Sequence, residues 1–203
     1  MNSSENLRTH ENDRRFVETR RTHPRYWKTA AKLAAAVIEL AAKNPSAQLT
    51  VGEIVQRASM NRSTFYTHGR NATDLLNKAM RIALEGADAP DPMIMTSADD
   101  RRAALLLAVG TVTDHIRQYR TVYETALTDD ASADALFRNL TDYIARRLRL
   151  EDASLATVRG RAIAAATSEI IRERISAFEL FNANDIVETL DTILISEVPG
   201  VKR

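Results

Sequence analysis

Between Leu49 and His68 the chain reads L-T-V-G-E-I-V-Q-R-A-S-M-N-R-S-T-F-Y-T-H, and its second half gathers side chains suited to a polar, charged surface. Arg62, Ser63, Thr64, Tyr66 and Thr67 surround one large apolar residue, Phe65. A guanidinium beside hydroxyls and a phenol offers what base edges and phosphates require: a fixed fork of donors, and groups that can donate or accept. Catalytic chemistry is not suggested. The four histidines, His10, His23, His68 and His115, are scattered, and none pairs with another histidine or with a carboxylate at i+3 or i+4 inside an expected helix. The acidic pairs Asp99-Asp100 and Asp129-Asp130 stand at expected helix starts or loops, where capping accounts for them, and no nucleotide-binding glycine pattern occurs. The residues argue against an enzyme, and no cofactor or metal is expected.

The elements that must hold these side chains are two short helices and a tight turn. Thr50 followed by Glu53 is a capping box that starts the first, and Ile54, Val55 and Ala58 give it one apolar face. Ser59-Met60-Asn61 interrupts the pattern, and Asn61 is placed to cap the second helix through the backbone N–H of Ser63 or Thr64. Gly69 stands where a left-handed C-terminal cap is expected. A helix with so little apolar surface is built to be displayed, and the spacing is that of a helix-turn-helix whose second helix enters the DNA major groove.

The run from Thr50 to His68, ending in Tyr66-Thr67-His68, closely resembles the helix-turn-helix of the TetR family of one-component repressors, specifically over residues 26–85 and architecturally beyond. The resemblance implies an all-α protein: a three-helix DNA-binding head followed by a helical bundle for effector binding and dimerisation. In such a protein Arg62, Ser63, Thr64, Tyr66 and Thr67 would contact bases or phosphates, with Lys28, Thr50, His68 and Arg70 positioning the head on the backbone. Two residues depart from the family pattern: Gly69 replaces an aromatic anchor, and Ala72 replaces a lysine that contacts phosphate, a contact for which Arg70 is the substitute at hand.

The whole chain fits a charged partner at one end. A formal net charge of +1 conceals 14 Lys/Arg against 8 Asp/Glu over residues 1–86, a net +6, and 14 against 19 over residues 87–203, a net −5. That asymmetry turns the helix-turn-helix towards phosphate and the remainder away from it. There is no cysteine, which excludes disulfides and thiolate metal sites and fits a reducing cytoplasm. No stretch of about 18 apolar residues exists for a membrane span, and the polar amino terminus lacks a secretion signal, so the expected location is the cytoplasm.

Three segments follow from composition. Residues 1–25, with Arg8, Arg14, Arg15, Arg20, Arg21 and Arg25, are expected to form a flexible basic arm, able to enter a minor groove or to remain a solvated tail. Residues 26–86 form the helix-turn-helix domain. It begins with a helix from Tyr26 to about Ala42 that turns Trp27, Ala30, Ala34, Val37, Ile38 and Ala41 inward, and Asn44-Pro45-Ser46 stops that helix. The domain closes with a helix capped by Asn71, whose inward face is Leu75, Leu76, Ala79, Met80 and Ala83. The run G-A-D-A-P-D-P at Gly86–Pro92 is the linker, and residues 93–203 form the effector and dimerisation bundle.

Within that bundle helices are expected over Asp99–Tyr119, Arg120–Leu127, Ala131–Leu150, Ala153–Phe181 and Asp185–Val198. Thr111, Thr113, His115, Tyr119 and Tyr123 are the polar groups nearest to apolar faces and the candidates for a small-molecule effector. The last two helices are amphipathic and are the candidates for a homodimer interface, the alternative being that they close one subunit's own core. A dimer is needed because one major-groove helix reads few base pairs; two copies roughly 34–36 Å apart read a palindromic operator. The competing reading is a helical dimer that acts through protein partners and binds DNA weakly or without selectivity.

Overall fold

The computed structural model describes residues 24–86, 98–151 and 158–195, which contain helices and no strand. The helices are α1 (Pro24–Ala41), α2 (Val51–Ala58), α3 (Arg62–His68), α4 (Ala72–Gly86), α5 (Ala98–Gln118), α6 (Arg120–Ala126), α7 (Asp130–Glu151), α8 (Val158–Ser176) and α9 (Ala183–Ile195). A short 3₁₀ turn, Ser46–Gln48, joins α1 to α2. Residues 1–23 of the expected arm and residues 87–97, which include most of the linker, lie outside the described residues, while Pro24 and Arg25, expected to end the arm, open α1.

In α1 the buried side chains are Leu33, Ala36, Val37 and Ala41, while Trp27 is 54% exposed, so the inward face is rotated from the one the sequence suggested. Alanines lie all round this helix and specify a face weakly; the one leucine that becomes fully buried, Leu33, sets it. α2 buries Ile54, Val55 and Ala58, and α4 buries Leu75, Leu76, Ala79, Met80 and Leu84, with Leu84 rather than Ala83 ending its inward row. α5 and α7 carry the expected core faces, including Val112, Ile116, Leu136, Phe137, Leu140 and Ile144.

Hydroxyls tie the first helices to the later ones. Ser132 at the start of α7 is fully buried; its Oγ accepts a bond from Ser46 Oγ at 3.2 Å and one from the Ala47 backbone N–H at 3.1 Å. Ser46 Oγ also meets Thr73 Oγ1 at 3.1 Å, and Thr125 Oγ1 on α6 donates to the Ala42 carbonyl. Asn139 on α7 donates to the Asn77 carbonyl of α4, and Arg146 pairs with Glu85.

The turn between α2 and α3 depends on Ser59, which takes the left-handed conformation (φ 53°, ψ 51°) and sends its N–H back to Gln56 and Val55. Glycine adopts this backbone without the Cβ clash that a serine carries. Ser59→Gly is expected to stabilise the protein by about 0.5–1 kcal/mol; thermal melting checks it.

Candidate nucleic-acid interface

The interface is built on caps. Thr50 Oγ1 accepts from the Glu53 N–H at 3.2 Å while Glu53 Oε2 accepts from the Thr50 N–H at 2.8 Å, so both halves of the capping box are formed. The Thr50 hydroxyl, which donates to Glu53 Oε2 at 2.7 Å, and the Thr50 backbone N–H hold the Glu53 carboxyl below its usual range. At the second helix Asn61 Oδ1 accepts three bonds: from the Thr64 N–H at 2.8 Å, Ser63 Oγ at 2.8 Å and Thr64 Oγ1 at 2.7 Å. The Asn61 cap is therefore also an organiser of the exposed polar surface of α3. With their protons committed to Asn61, Ser63 and Thr64 present lone pairs outward and can serve as acceptors for base amino groups.

Phe65 is fully buried and roots the seven-residue α3 in the core. Arg62, Ser63, Tyr66 and Thr67 are exposed, Tyr66 by 61%, with Thr64 half-buried beside them. The Arg62 guanidinium lies against the start of α2, its Nη2 at 3.4 Å from where a Cβ on Gly52 would stand. Arg62 thus adjoins Thr50, which is also exposed, and the two helix starts form one polar surface. Lys28 and Arg70 are exposed on neighbouring elements.

The end of α3 differs from expectation. Gly69 is extended (φ −151°, ψ 152°) and makes no left-handed cap; it is small because Leu75 is close, a Cβ there lying 3.0 Å from the Leu75 Cβ. The helix is closed from α4 instead. Lys78 Nζ donates to the His68 carbonyl at 3.0 Å and to Asp74 Oδ2 at 2.9 Å, and the same Asp74 oxygen accepts the Arg70 N–H at 2.9 Å. Asn71 caps α4 through the Asp74 N–H as its position suggested.

His68 also corrects the reading of its role. Its side chain is buried, with the ring stacked on Tyr26 at 4.3 Å between centroids, so the imidazole packs the head instead of facing a phosphate. Burial and, secondarily, the Lys78 charge push its pKa below the usual histidine range, leaving it neutral at pH 7. Lys78 was missed in the sequence: its role depends on one turn of α4 lying beside the end of α3.

Of the candidate effector residues, three come together. The His115 ring lies tilted against Tyr119 (4.9 Å between centroids) and meets Tyr123 edge to face (5.9 Å), and Tyr123 meets Phe137 edge to face (5.7 Å). His115 is buried, its Nε2 has no hydrogen-bond partner, and burial lowers its pKa to about 4. Tyr123 is buried as well, which pushes its phenol up. Thr111 is only half-buried and bonds the Leu107 carbonyl, and Thr113 bonds that of Gly110, so both hydroxyls serve their own helix. A cavity of about 560 Å³ lies between α8 and α9, its walls including Ala166, Ile170, Thr189 and Ile193. None of the described helices is long and apolar enough to cross a membrane.

No family model matches the chain, and no curated protein does. Solved structures do. The dihydroxyacetone kinase operon activator DhaS superposes with a TM-score of 0.51 at 18% identity, over 86% of this chain and 98% of that one. A TetR transcriptional regulator from Rhodococcus sp. RHA1 superposes with a TM-score of 0.54 at 15% identity, over 84% and 98%. The chain has the all-helical fold of these regulators over most of its described length.

Proposed function

We propose that this protein is a ligand-responsive transcriptional regulator that binds a palindromic DNA operator as a homodimer and leaves it when a small molecule binds. Residues 24–86 would form the DNA-reading domain and residues 93–203 the effector and dimerisation domain, with the residues before α1 as an arm beside the duplex. The observation that carries this reading is the outer surface of α3: Arg62, Ser63, Thr64, Tyr66 and Thr67 stand on one short helix, locked at its start by Asn61 and at its end by Lys78. A rigid polar helix rooted by a single phenylalanine is matched to base edges and has little use in packing. Lys28, Thr50 and Arg70 flank it and would hold phosphates; the His68 ring would act through Tyr26. The regulatory fold shared with an operon activator and a TetR regulator supports the same assignment.

The first test is selection of operators from random duplex DNA with the full chain, followed by affinity against salt. Arg62→Ala is expected to weaken the selected site by about 1–3 kcal/mol and relax its sequence preference, and Tyr66→Phe to weaken it less. Unchanged selective binding in both variants would remove the assigned roles. Binding without sequence preference that vanishes at moderate salt would favour a protein-binding dimer instead.

A further inference from the structure

Each aliphatic hydroxyl of α3 gives its proton to an acceptor inside the protein. A backbone N–H can only donate, so the Asn61 side-chain atom that meets the Thr64 N–H at 2.8 Å is the amide oxygen, Oδ1. That oxygen can only accept. The two hydroxyls that meet it, Ser63 Oγ at 2.8 Å and Thr64 Oγ1 at 2.7 Å, are therefore both donors. Thr67 is committed in the same way, since its Oγ1 lies 3.2 Å from the Ser63 carbonyl, which has no proton to offer.

Residues one helical turn apart share a face, so the exposed side chains of α3 stand in two rows. Arg62 and Tyr66 form one: a guanidinium that can only donate and a phenol that can do either. Ser63 and Thr67 form the other, and it offers lone pairs alone. A serine or threonine hydroxyl with a free proton bonds an amino or a keto group in the major groove equally well and discriminates little. Once the proton is held elsewhere, only an amino group remains a partner. Each base pair shows one such group in the major groove, on N6 of adenine or N4 of cytosine. An acceptor-only hydroxyl therefore separates adenine and cytosine from guanine and thymine on the strand that it faces, because a keto oxygen there would leave two acceptors face to face.

We infer, on the DNA-reading role given above, that Asn61 is a specificity-determining residue that acts without touching DNA. By holding the Ser63 proton it makes that hydroxyl read adenine or cytosine and refuse guanine or thymine. Thr67 reads the same class of base one turn further along α3, with its polarity set by the Ser63 carbonyl in place of Asn61. Thr64 is half-buried and serves mainly to fix the Asn61 amide. The two rows together give the half-site a pattern: amino groups towards Ser63 and Thr67, and an acceptor such as guanine O6 or N7 towards Arg62.

Selection from random duplexes with the full chain tests it. Ser63→Ala and Thr67→Ala locate the operator positions that each residue reads, and the wild type is expected to prefer adenine or cytosine at both by roughly tenfold. Asn61→Gly removes the amide oxygen and keeps a residue that starts helices well. It is expected to admit guanine and thymine at the Ser63 position while the Thr67 position keeps its preference. Asn61→Asp, which restores the acceptor, should restore the preference, with weaker binding to all sequences from the added negative charge. A check on the wild type alone replaces the selected adenine by purine, or cytosine by 2-pyrimidinone, which deletes the amino group; affinity should fall about three- to tenfold. Blurring of both positions alike in Asn61→Gly would make Asn61 a structural cap only and overturn the inference. So would guanine or thymine at the Ser63 position, a Ser63→Ala variant that shifts no position, or indifference to the deleted amino group; in each case the DNA-reading role stands. Absence of any sequence-selective binding by the wild type removes both.

Discussion

Phe65→Ala is expected to destabilise the protein by about 3–5 kcal/mol, the range for deleting a fully buried aromatic ring. Phe65 has no exposed surface and is the one large side chain by which α3 is held; its neighbours on that helix face outward or, like His68, pack at its end. A seven-residue helix has too few internal hydrogen bonds to stand alone. Against a total stability of about 5–15 kcal/mol, the loss is enough to free α3 under conditions where α5–α9 remain folded. Urea unfolding measures the magnitude, and amide exchange over residues 62–68 shows where it acts. Exchange there that stays as slow as elsewhere would place the anchor of the helix in another residue. Phe65→Leu, which keeps most of the volume, is expected to cost less than about 1.5 kcal/mol.

The second large effect is an acid dependence set by His115. Its pKa is about 4 in the folded protein because it is buried, against an ordinary value of 6.5. The unfolded chain therefore takes up a proton through a range in which the folded chain does not. Stability is complete above pH 6.5 and falls as the pH drops towards 4, by up to roughly 3 kcal/mol at the lower end. His115→Gln should flatten this slope when melting is compared between pH 7 and 4.5. His68, whose pKa is also lowered by burial, contributes in the same direction, so His68→Gln is the control that apportions the effect. A slope that survives in His115→Gln would place the acid dependence in other groups.

The helix starts were legible because each is a single local bond. Thr50 with Glu53, Asn61 with Thr64, and Asn71 with Asp74 are made within three residues, and the sequence distance is the whole of the geometry. The helix ends were not. Gly69 looks like a left-handed cap by type, yet among the described residues the non-glycine left-handed positions are Ser59 and Phe178, residues for which intrinsic preference gives no signal. For the same reason α8 stops at Ser176 although Ala177, Phe178, Leu180 and Phe181 prolong its apolar pattern towards Phe181. In the candidate interface, Arg62, Ser63, Thr64, Tyr66 and Thr67 could be named because polarity around one buried phenylalanine is a local pattern. Burial of His68 and the reach of Lys78 could not, since they depend on how α1 and α4 lie across α3. Among the candidate effector residues, the His115, Tyr119 and Tyr123 cluster follows helical spacing, while Thr111 satisfies its own helix.

The hydroxyl bonds around Ser132 give the molecule a mechanical character. Ser46, Ala47, Ser132 and Thr73 meet at 3.1–3.2 Å, close to the outer limit for such contacts. Attraction of this kind fades within on the order of half an ångström, unlike apolar contact, which tolerates sliding. A shift of α7 relative to the 3₁₀ turn breaks the group together, so the joint behaves as a latch: seated it is stiff, and once slipped it offers little restoring pull.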